Sequence, residues 1–326
     1  MFEHPKVANA GAVASHGSVA VMHAAFADVD EQAAALTGWN QTYLQLCAGG
    51  FRGSMRRVDL GGARLFMEGL QASVYQTGRL EVGVLALGVP LHASEPGLFC
   101  GRPCDKESLH VFSGRSGFEF RSASKHVMLG FELAPELAHD LRQGQESNRL
   151  FGAEAGLQAA DPRAIEGLRQ FMLTVFNAAQ ATPALINLPA VSVAMIDTLI
   201  EQVSALSQGA AASDVPPDGY WHLVQDAREL IRAGIHQAPT VVELCAKLGV
   251  SRRTLQNGFQ QVIGISPLSY LRAARLGAAR QALKHSASVT DAATQLGFWH
   301  FGHFAKDYQA MFGELPSQTH RRHLHS

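Results

Sequence analysis

One pattern occurs twice between Val241 and Pro316, and few folds accommodate it. The first copy reads VVELCAKLGVSRRTLQNGFQQVIGISP and the second VTDAATQLGFWHFGHFAKDYQAMFGELP. Cys245 aligns with Ala293 and Gly249 with Gly297 at an offset of 48 residues. Leu255 aligns with Phe304, Phe259 with Tyr308, Gly264 with Gly313 and Pro267 with Pro316 at an offset of 49. The step predicts one extra residue in the second turn. A repeat that keeps a small residue, a glycine four later, two large apolar residues and Gly-x-x-Pro marks a duplicated structural unit.

Each copy predicts a short helix, a glycine that ends it in the left-handed conformation, and a second helix crossing the first steeply, which is a helix-turn-helix. Cys245 and Ala293 stand where two helix axes approach too closely for a larger side chain. Ser251 is placed to cap the second helix of copy one. Leu255 and Phe259, four apart, pack inward, and Phe304, Tyr308 and Phe312 do the same in copy two. The opposite face of the first carries Arg252, Arg253, Gln256, Asn257 and Gln260. Arginine pairs with guanine and Asn or Gln with adenine through major-groove edges, so that face suits base readout. In copy two the outward residues are His300, Gly302, His303, Lys306 and Gln309, the glycine leaving room for a duplex. Between the copies, Ser266 and Pro267 open a helix to about Lys284. Roughly 18 residues make a strut of about 27 Å, on the order of the 34 Å or so between successive major-groove faces.

The runs LCAKLGVSRRTLQNGF, GISPLSYLRAARLGAAR and AATQLGFWHFGHFAKDYQAMFGELPS resemble the DNA-binding domain of the AraC/XylS transcriptional regulators. The carrying signature is Gly297-Phe298, followed by an aromatic, a basic and a second aromatic residue and then Gly-x-x-Pro. Asn257 occupies a position that is commonly basic, Lys306 replaces Arg, and Trp299 and His300 replace small capping residues. GFWHFGHFAKDY resembles the branch containing ethanolamine-utilisation regulators. The resemblance covers residues 220 to 321, and WNQTYLQLCAGGFRGSMRRVDLGGARL extends it more loosely into the N-terminal part. It implies a sequence-specific, DNA-binding regulator with a small-molecule effector, acting as an activator with RNA polymerase as a partner.

Charge agrees with this division. Residues 220 to 326 hold 12 Lys and Arg against 6 Asp and Glu, whereas residues 1 to 219 hold 15 against 22, which together give the net −1. The basic part fits phosphate binding. Cys47, Cys100, Cys104 and Cys245 are too few and scattered for a disulfide scaffold, which points to a cytoplasmic protein. The apolar run Val82 to Leu91 is shorter than the roughly 20 residues of a membrane span, so no membrane is expected.

In chain order, residues 1 to 17 read as a disordered leader. Val19 to Phe26 and Asp28 to Leu36 read as short helices, the second opened by Asp28 with Glu31 three later. From Thr42 to Leu133 the runs YLQL, FRGSMRRVDL, ARLFMEG, SVYQTG, LEVGVLALGV, SLHVF, FEFRS and HVMLGFEL predict strands of a β-barrel or sandwich. Helices are expected over Pro135 to Arg142, from Asp161-Pro162 through Ala179, and from Pro189 to Leu206. The last two pack within the chain or against a second copy in a homodimer. The expected fold class is α+β: residues 1 to 206 form a β-barrel or sandwich effector and dimerisation domain with packing helices, 207 to 219 a linker, and 220 to 326 an all-α double helix-turn-helix domain. Polar side chains such as Arg52, Arg121 and His126 face either a ligand or water, the latter being commoner.

Other chemistries fit poorly. His300, His303 and Asp307 on one helix do not close a metal shell, and Cys100 and Cys104 with Asp105 and His110 lack a second ligand pair. FSGRSGF is not a nucleophile elbow, and no phosphate-binding glycine loop or zinc-protease motif is present. No catalytic residue, metal or cofactor is expected. Two alternatives stand beside the regulator: a DNA-binding protein whose N-terminal domain only dimerises, and a cupin-like metal oxygenase fused to a DNA-binding domain. Against the latter, His92, His110 and His126 lack a His-x-His arrangement.

Overall fold

A computed structural model describes residues 21–143, 154–208 and 219–324. The expected leader and most of the expected linker lie outside them. The N-terminal part is built on two antiparallel sheets. The larger has the order β1-β3-β4-β11-β6-β9-β12, comprising Val21–Phe26 (β1), Gly53–Asp59 (β3), Ala63–Leu70 (β4), His126–Leu133 (β11), Leu85–Ala93 (β6), Leu109–Phe112 (β9) and Gly156–Gln158 (β12). The smaller has the order β2-β5-β10-β7-β8, comprising Thr42–Gln45 (β2), Val74–Gly78 (β5), Phe118–Arg121 (β10), Gly97–Phe99 (β7) and Arg102–Cys104 (β8). The two sheets stay open, giving a sandwich rather than a closed barrel.

Residues 21 to 26 correct the helix expected there. VMHAAF is an edge strand paired antiparallel with β3, from Val21 opposite Val58 to Phe26 opposite Gly53. Its alanines favour helix locally, but the ladder offered by β3 overrides that weak preference. The next element follows the capping signal. Val29–Ala34 (α1) begins at Asp28, whose side chain accepts from the backbone N–H groups of Asp30 and Glu31. Pro135–Gln143 (α2), Pro162–Ala181 (α3) and Pro189–Gln208 (α5) match the expected helices, joined by the short Pro183–Ile186 (α4). Asp161 caps α3 by accepting from Arg163 N–H.

The layers follow from side-chain alternation. One face of the larger sheet packs Val58, Leu65, Leu87, Leu129 and Phe131 against Ile165, Leu168, Met172 and Val175 of α3. The α3 stripe is therefore satisfied within the chain. Only part of α5 follows it: Leu199, Val203 and Leu206 are buried while Val193 is exposed. Pro189–Leu206 is long and apolar enough to cross a membrane by length and composition, a property absent from the shorter run at Val82 to Leu91. Between the sheets lie Trp39, Phe66, Phe99, Phe112, Phe118 and Phe120. His110 and His126 are buried beside them, so His126 faces inward, whereas Arg52 is exposed.

The C-terminal part is helical: Trp221–Ala233 (α6), Val241–Leu248 (α7), Arg252–Val262 (α8), Pro267–Leu283 (α9), Val289–Gln295 (α10), Phe301–Phe312 (α11) and Pro316–His323 (α12). It docks on the outer face of the smaller sheet. There Arg228 of α6 pairs with Glu119, donates to Tyr270 Oη at 3.1 Å and lies 4.7 Å from the Tyr75 ring centre. Arg121 runs beside Gly264. A second junction joins α1 to α9: Asp28 pairs with Arg280 at 3.2 Å and with Lys284 at 3.0 Å, and Asp30 pairs with Lys284 at 2.7 Å. A third reaches the end of α11, where Gln45 Nε2 donates to Met311 O at 2.8 Å and Gly49 N–H to Ala310 O at 2.9 Å. These bonds satisfy last-turn carbonyls that the helix leaves without partners. Along the seam lies a hollow of about 530 Å³, lined by Tyr43, Leu44, Tyr75, Arg228, Tyr270 and Phe312 among others.

The buried imidazoles make the N-terminal part acid-sensitive. His110 is wholly buried, and neither ring nitrogen of His126 has a hydrogen-bond partner among the described residues. Burial pushes His110 down to about 3, with His126 adding repulsion, and His126 down to about 4, with His92 adding to it. Both are neutral in the fold, while in the unfolded chain they titrate near 6.5. Below that pH the unfolded chain gains protons that the fold refuses, so stability present above 6.5 is lost as pH falls. At pH 5.5 each histidine should cost about 1 kcal/mol relative to neutral pH. Thermal unfolding at the two pH values should show this loss, and His110→Phe should reduce it.

Left-handed glycines provide a second test. Gly249 has φ +65 and open space around an added Cβ, so Gly249→Ala should cost about 1 kcal/mol for the backbone alone. Gly313 has φ +73, and its Cβ would stand 2.9 Å from the Gly50 nitrogen. Gly313→Ala should therefore be the more destabilising in chemical denaturation, because it also pushes the end of α11 off the N-terminal part.

Candidate nucleic-acid interface

Both copies of the repeat form the expected units, each with a core of its own. In the first, Leu244 of α7, Leu255 and Phe259 of α8, and Val224 and Ile231 of α6 are buried together. Thr240 and Glu243 form a reciprocal capping box at the start of α7, and Gly249 ends it in the left-handed conformation. Ser251 then caps α8 by accepting from Thr254 N–H at 3.0 Å. In the second, Ala292, Ala293, Phe304, Tyr308 and Phe312 pack with Leu276, Ala279 and Leu283 of α9. Ala293 is fully buried, as its close-contact position requires, whereas Cys245 is only half-buried.

The predicted extra residue is present. Helix α8 begins three residues after Gly249 and α11 four after Gly297. The two starts differ chemically as well. His300 occupies the cap of α11 without a side-chain hydrogen bond, so its first-turn amides are free of the kind of partner that Ser251 supplies to α8. Positively biased amides of this kind suit a backbone phosphate.

The predicted outward residues are all on the surface: Arg252, Arg253, Gln256, Asn257 and Gln260 on α8, and His300, Gly302, His303, Lys306 and Gln309 on or beside α11. None is covered by the sandwich. Gln260 Nε2 is committed to Gly264 O at 3.1 Å, which turns it toward the end of its own helix. Nothing lies within 4 Å of a Cβ added at Gly302, in line with close approach by a duplex. His300 and His303 stand with ring centres 6.4 Å apart, and Asp307 accepts from Arg272 at 2.7 Å. That carboxylate is bound to a guanidinium, not aimed at the imidazoles.

Helix α9 links the two units, donating Tyr270 and Leu271 to the first core and Leu276, Ala279 and Leu283 to the second. It starts at Pro267 with Ser266 as cap, as the sequence indicates. Between the recognition helices is a hollow of about 680 Å³ lined by Arg252, Leu268, Arg272, Arg275, Phe298 and Asp307. Arg272 and Arg275 lie within the repeat's connecting helix, where helical spacing alone did not set them apart. Arg275 donates to the Leu296 and Gly297 carbonyls and lies 4.4 Å from the Phe298 ring centre, holding the second turn to α9.

The cysteines expected to be weak metal candidates are chemically quiet. Burial pushes both the Cys100 and Cys104 thiols up to about 12, so neither is a thiolate near neutral pH.

Comparison with known proteins agrees with this geometry. The family described as "Helix-turn-helix domain" matches residues 244–322. A "Probable thc operon regulatory protein" of Rhodococcus erythropolis is 37% identical over 100 residues, covering 29% of this chain and 30% of that protein. A "XylDLEGF operon transcriptional activator 2" of Pseudomonas putida is 32% identical over 95 residues, covering 28% of this chain and 60% of that protein. The chain thus spans less than two thirds of the length of these relatives. The solved structure of a probable AraC family transcriptional regulator from Rhodopseudomonas palustris is 37% identical, with 31% of this chain and 97% of that one covered and a TM-score of 0.29. The C-terminal part of the chain is accordingly a helix-turn-helix domain, similar to those of AraC/XylS-type regulators.

Proposed function

We propose that the chain is a sequence-specific, double-stranded-DNA-binding transcriptional regulator, with residues 220 to 326 as the reader and 207 to 219 as the boundary. The observation that carries this is the paired exposure of the α8 and α11 outer faces on units joined by one rigid helix. Arg252, Arg253, Gln256 and Asn257 give α8 the donors and acceptors for base edges. His300, Gly302, His303 and Lys306 place α11 against the duplex. The similarity to operon activators supports activation, which requires contact with RNA polymerase.

The N-terminal part is the proposed sensor of a small molecule. A ligand in the seam hollow would touch β2, β5, α6 and α9 at once, so its differential affinity for docked and undocked states would change how the reader is held. The capped end of α11 makes the second recognition helix the element most directly affected. The exposed apolar face of α5 supports a homodimer through the N-terminal part. The likeness of GFWHFGHFAKDY to ethanolamine-utilisation regulators suggests lineage without naming an effector.

Selection of a duplex from a randomised pool should enrich one sequence. Against it, Arg253→Ala and Gln256→Ala should each weaken binding by about 1 to 3 kcal/mol and relax base preference at separate positions. Equal binding by both variants and the original chain would refute the α8 assignment. A thermal-shift screen of metabolites on the full chain should find one compound that raises Tm saturably, by the binding linkage. If the screen finds none while operator binding stays intact, the reading in which the N-terminal part only dimerises gains.

A further inference from the structure

The segment from Phe298 to Phe304 holds four aromatic residues, of which the fold uses two. Phe298 lies 4.7 Å from Phe304 by ring centres and is covered by Arg275, and Phe304 is buried in the second core. Trp299 and Phe301 turn away from it and are 70% and 44% exposed. They flank the cap of α11 and form its leading tip. Apolar side chains left in water forgo the favourable free energy of burial, so the tip gains from whatever covers it.

The position of this tip decides what that is. In a helix-turn-helix the N-terminal residues of the recognition helix meet base edges in the major groove. The largest apolar group on the base edges there is the C5-methyl group of thymine. Gly302, next along the helix, has open space in place of a side chain, so a base edge can come close to Phe301. Among the described residues no carboxylate pairs with His300 or His303, and nearby Asp307 is taken by Arg272.

We infer that Trp299 and Phe301 are thymine-reading residues whose apolar tip seats against C5-methyl groups in the groove entered by α11. This rests on the DNA-binding reading above and gives α11 base selectivity of its own beside the phosphate contacts of Lys306.

The test uses the full chain and the duplex enriched by selection, with each thymine replaced singly by uracil, which removes the methyl and keeps the pairing. One or two replacements should weaken binding about fourfold, the loss of one buried methyl. Those positions should lie about one helical turn from the ones relaxed by Arg253→Ala. In Trp299→Ala or Phe301→Ala the thymine and uracil duplexes should bind within about twofold of each other, with the uracil affinity close to that of the original chain, which also shows the variants to be folded. Equal binding of thymine and uracil duplexes by the original chain overturns the inference and leaves DNA binding standing. Undiminished discrimination in both variants overturns it too. Failure of any duplex to be enriched overturns the DNA-binding reading together with it.

Discussion

Asp28 has 1% of its side chain exposed, yet it caps α1, pairs with Arg280 and pairs with Lys284. Burial works to raise its pKa, but the two cations and the α1 amides outweigh it and hold the carboxyl below its ordinary value. Arg280 is likewise opposed by burial and held above its ordinary value by Tyr308, Asp28 and Glu314. The directions agree, so the pair is ionised. Removing one partner of a buried pair typically costs about 3 to 5 kcal/mol, and here the loss is softened because Arg280 also pairs with Glu314 and Lys284 with Asp30. The arrangement of the two parts depends on this contact, because Arg280 also lies over Phe312 and pairs with Glu314, tying α9 to the junction between α11 and α12.

The other side of the lock is equally built in. Helix α1 is fastened to the sheets through Gln32, which donates to Glu68 at 2.9 Å, while Tyr43 donates to the same carboxylate at 2.7 Å and Gln76 at 3.3 Å. Burial raises Glu68 while those three donors partly offset it. Glu68 belongs to the larger sheet, and Tyr43 and Gln76 to the smaller. A displacement between the sheets would therefore reach Asp28, then Arg280, then α11. This is a continuous chain of hydrogen bonds and ion pairs from the sandwich to the helical C-terminal part, each member having few alternative partners in a buried setting.

The recognition helices stand differently toward this lock. Helix α8 sits in a core of α6 and α7 and touches the sandwich mainly through its neighbours. Helix α11 has its C-terminal carbonyls bonded directly by Gln45 and Gly49. Its N-terminal end is free, uncapped and aromatic. One helix is thus held within its own helical unit, and the other is gripped by the sandwich at one end while its other end stands exposed.

The repeat made the C-terminal architecture legible before any coordinates. Glycines at 249 and 297 must be left-handed, Ser251 and Ser266 must cap, and large residues four apart must turn inward, since each of these is a local requirement of the backbone or of helical period. Eight of the ten strands from Thr42 to Leu133 were legible for the same reason, whereas β7 and β8, three residues each, are too short to show an alternation. What the local text could not supply was pairing: VMHAAF is a strand only because β3 offers it a ladder, and Asp28 joins α9 only because folding brings together residues some 250 positions apart. The docking of Arg228, Gln45 and Arg280 likewise has no periodic signature, because each is a single side chain meeting a distant surface. Sequence alone determined that this chain carries a two-helix reader, through repeated short-range constraints. Only the tertiary structure decided how the sandwich grips it and which aromatic residues remain exposed, since burial depends on every element that packs nearby.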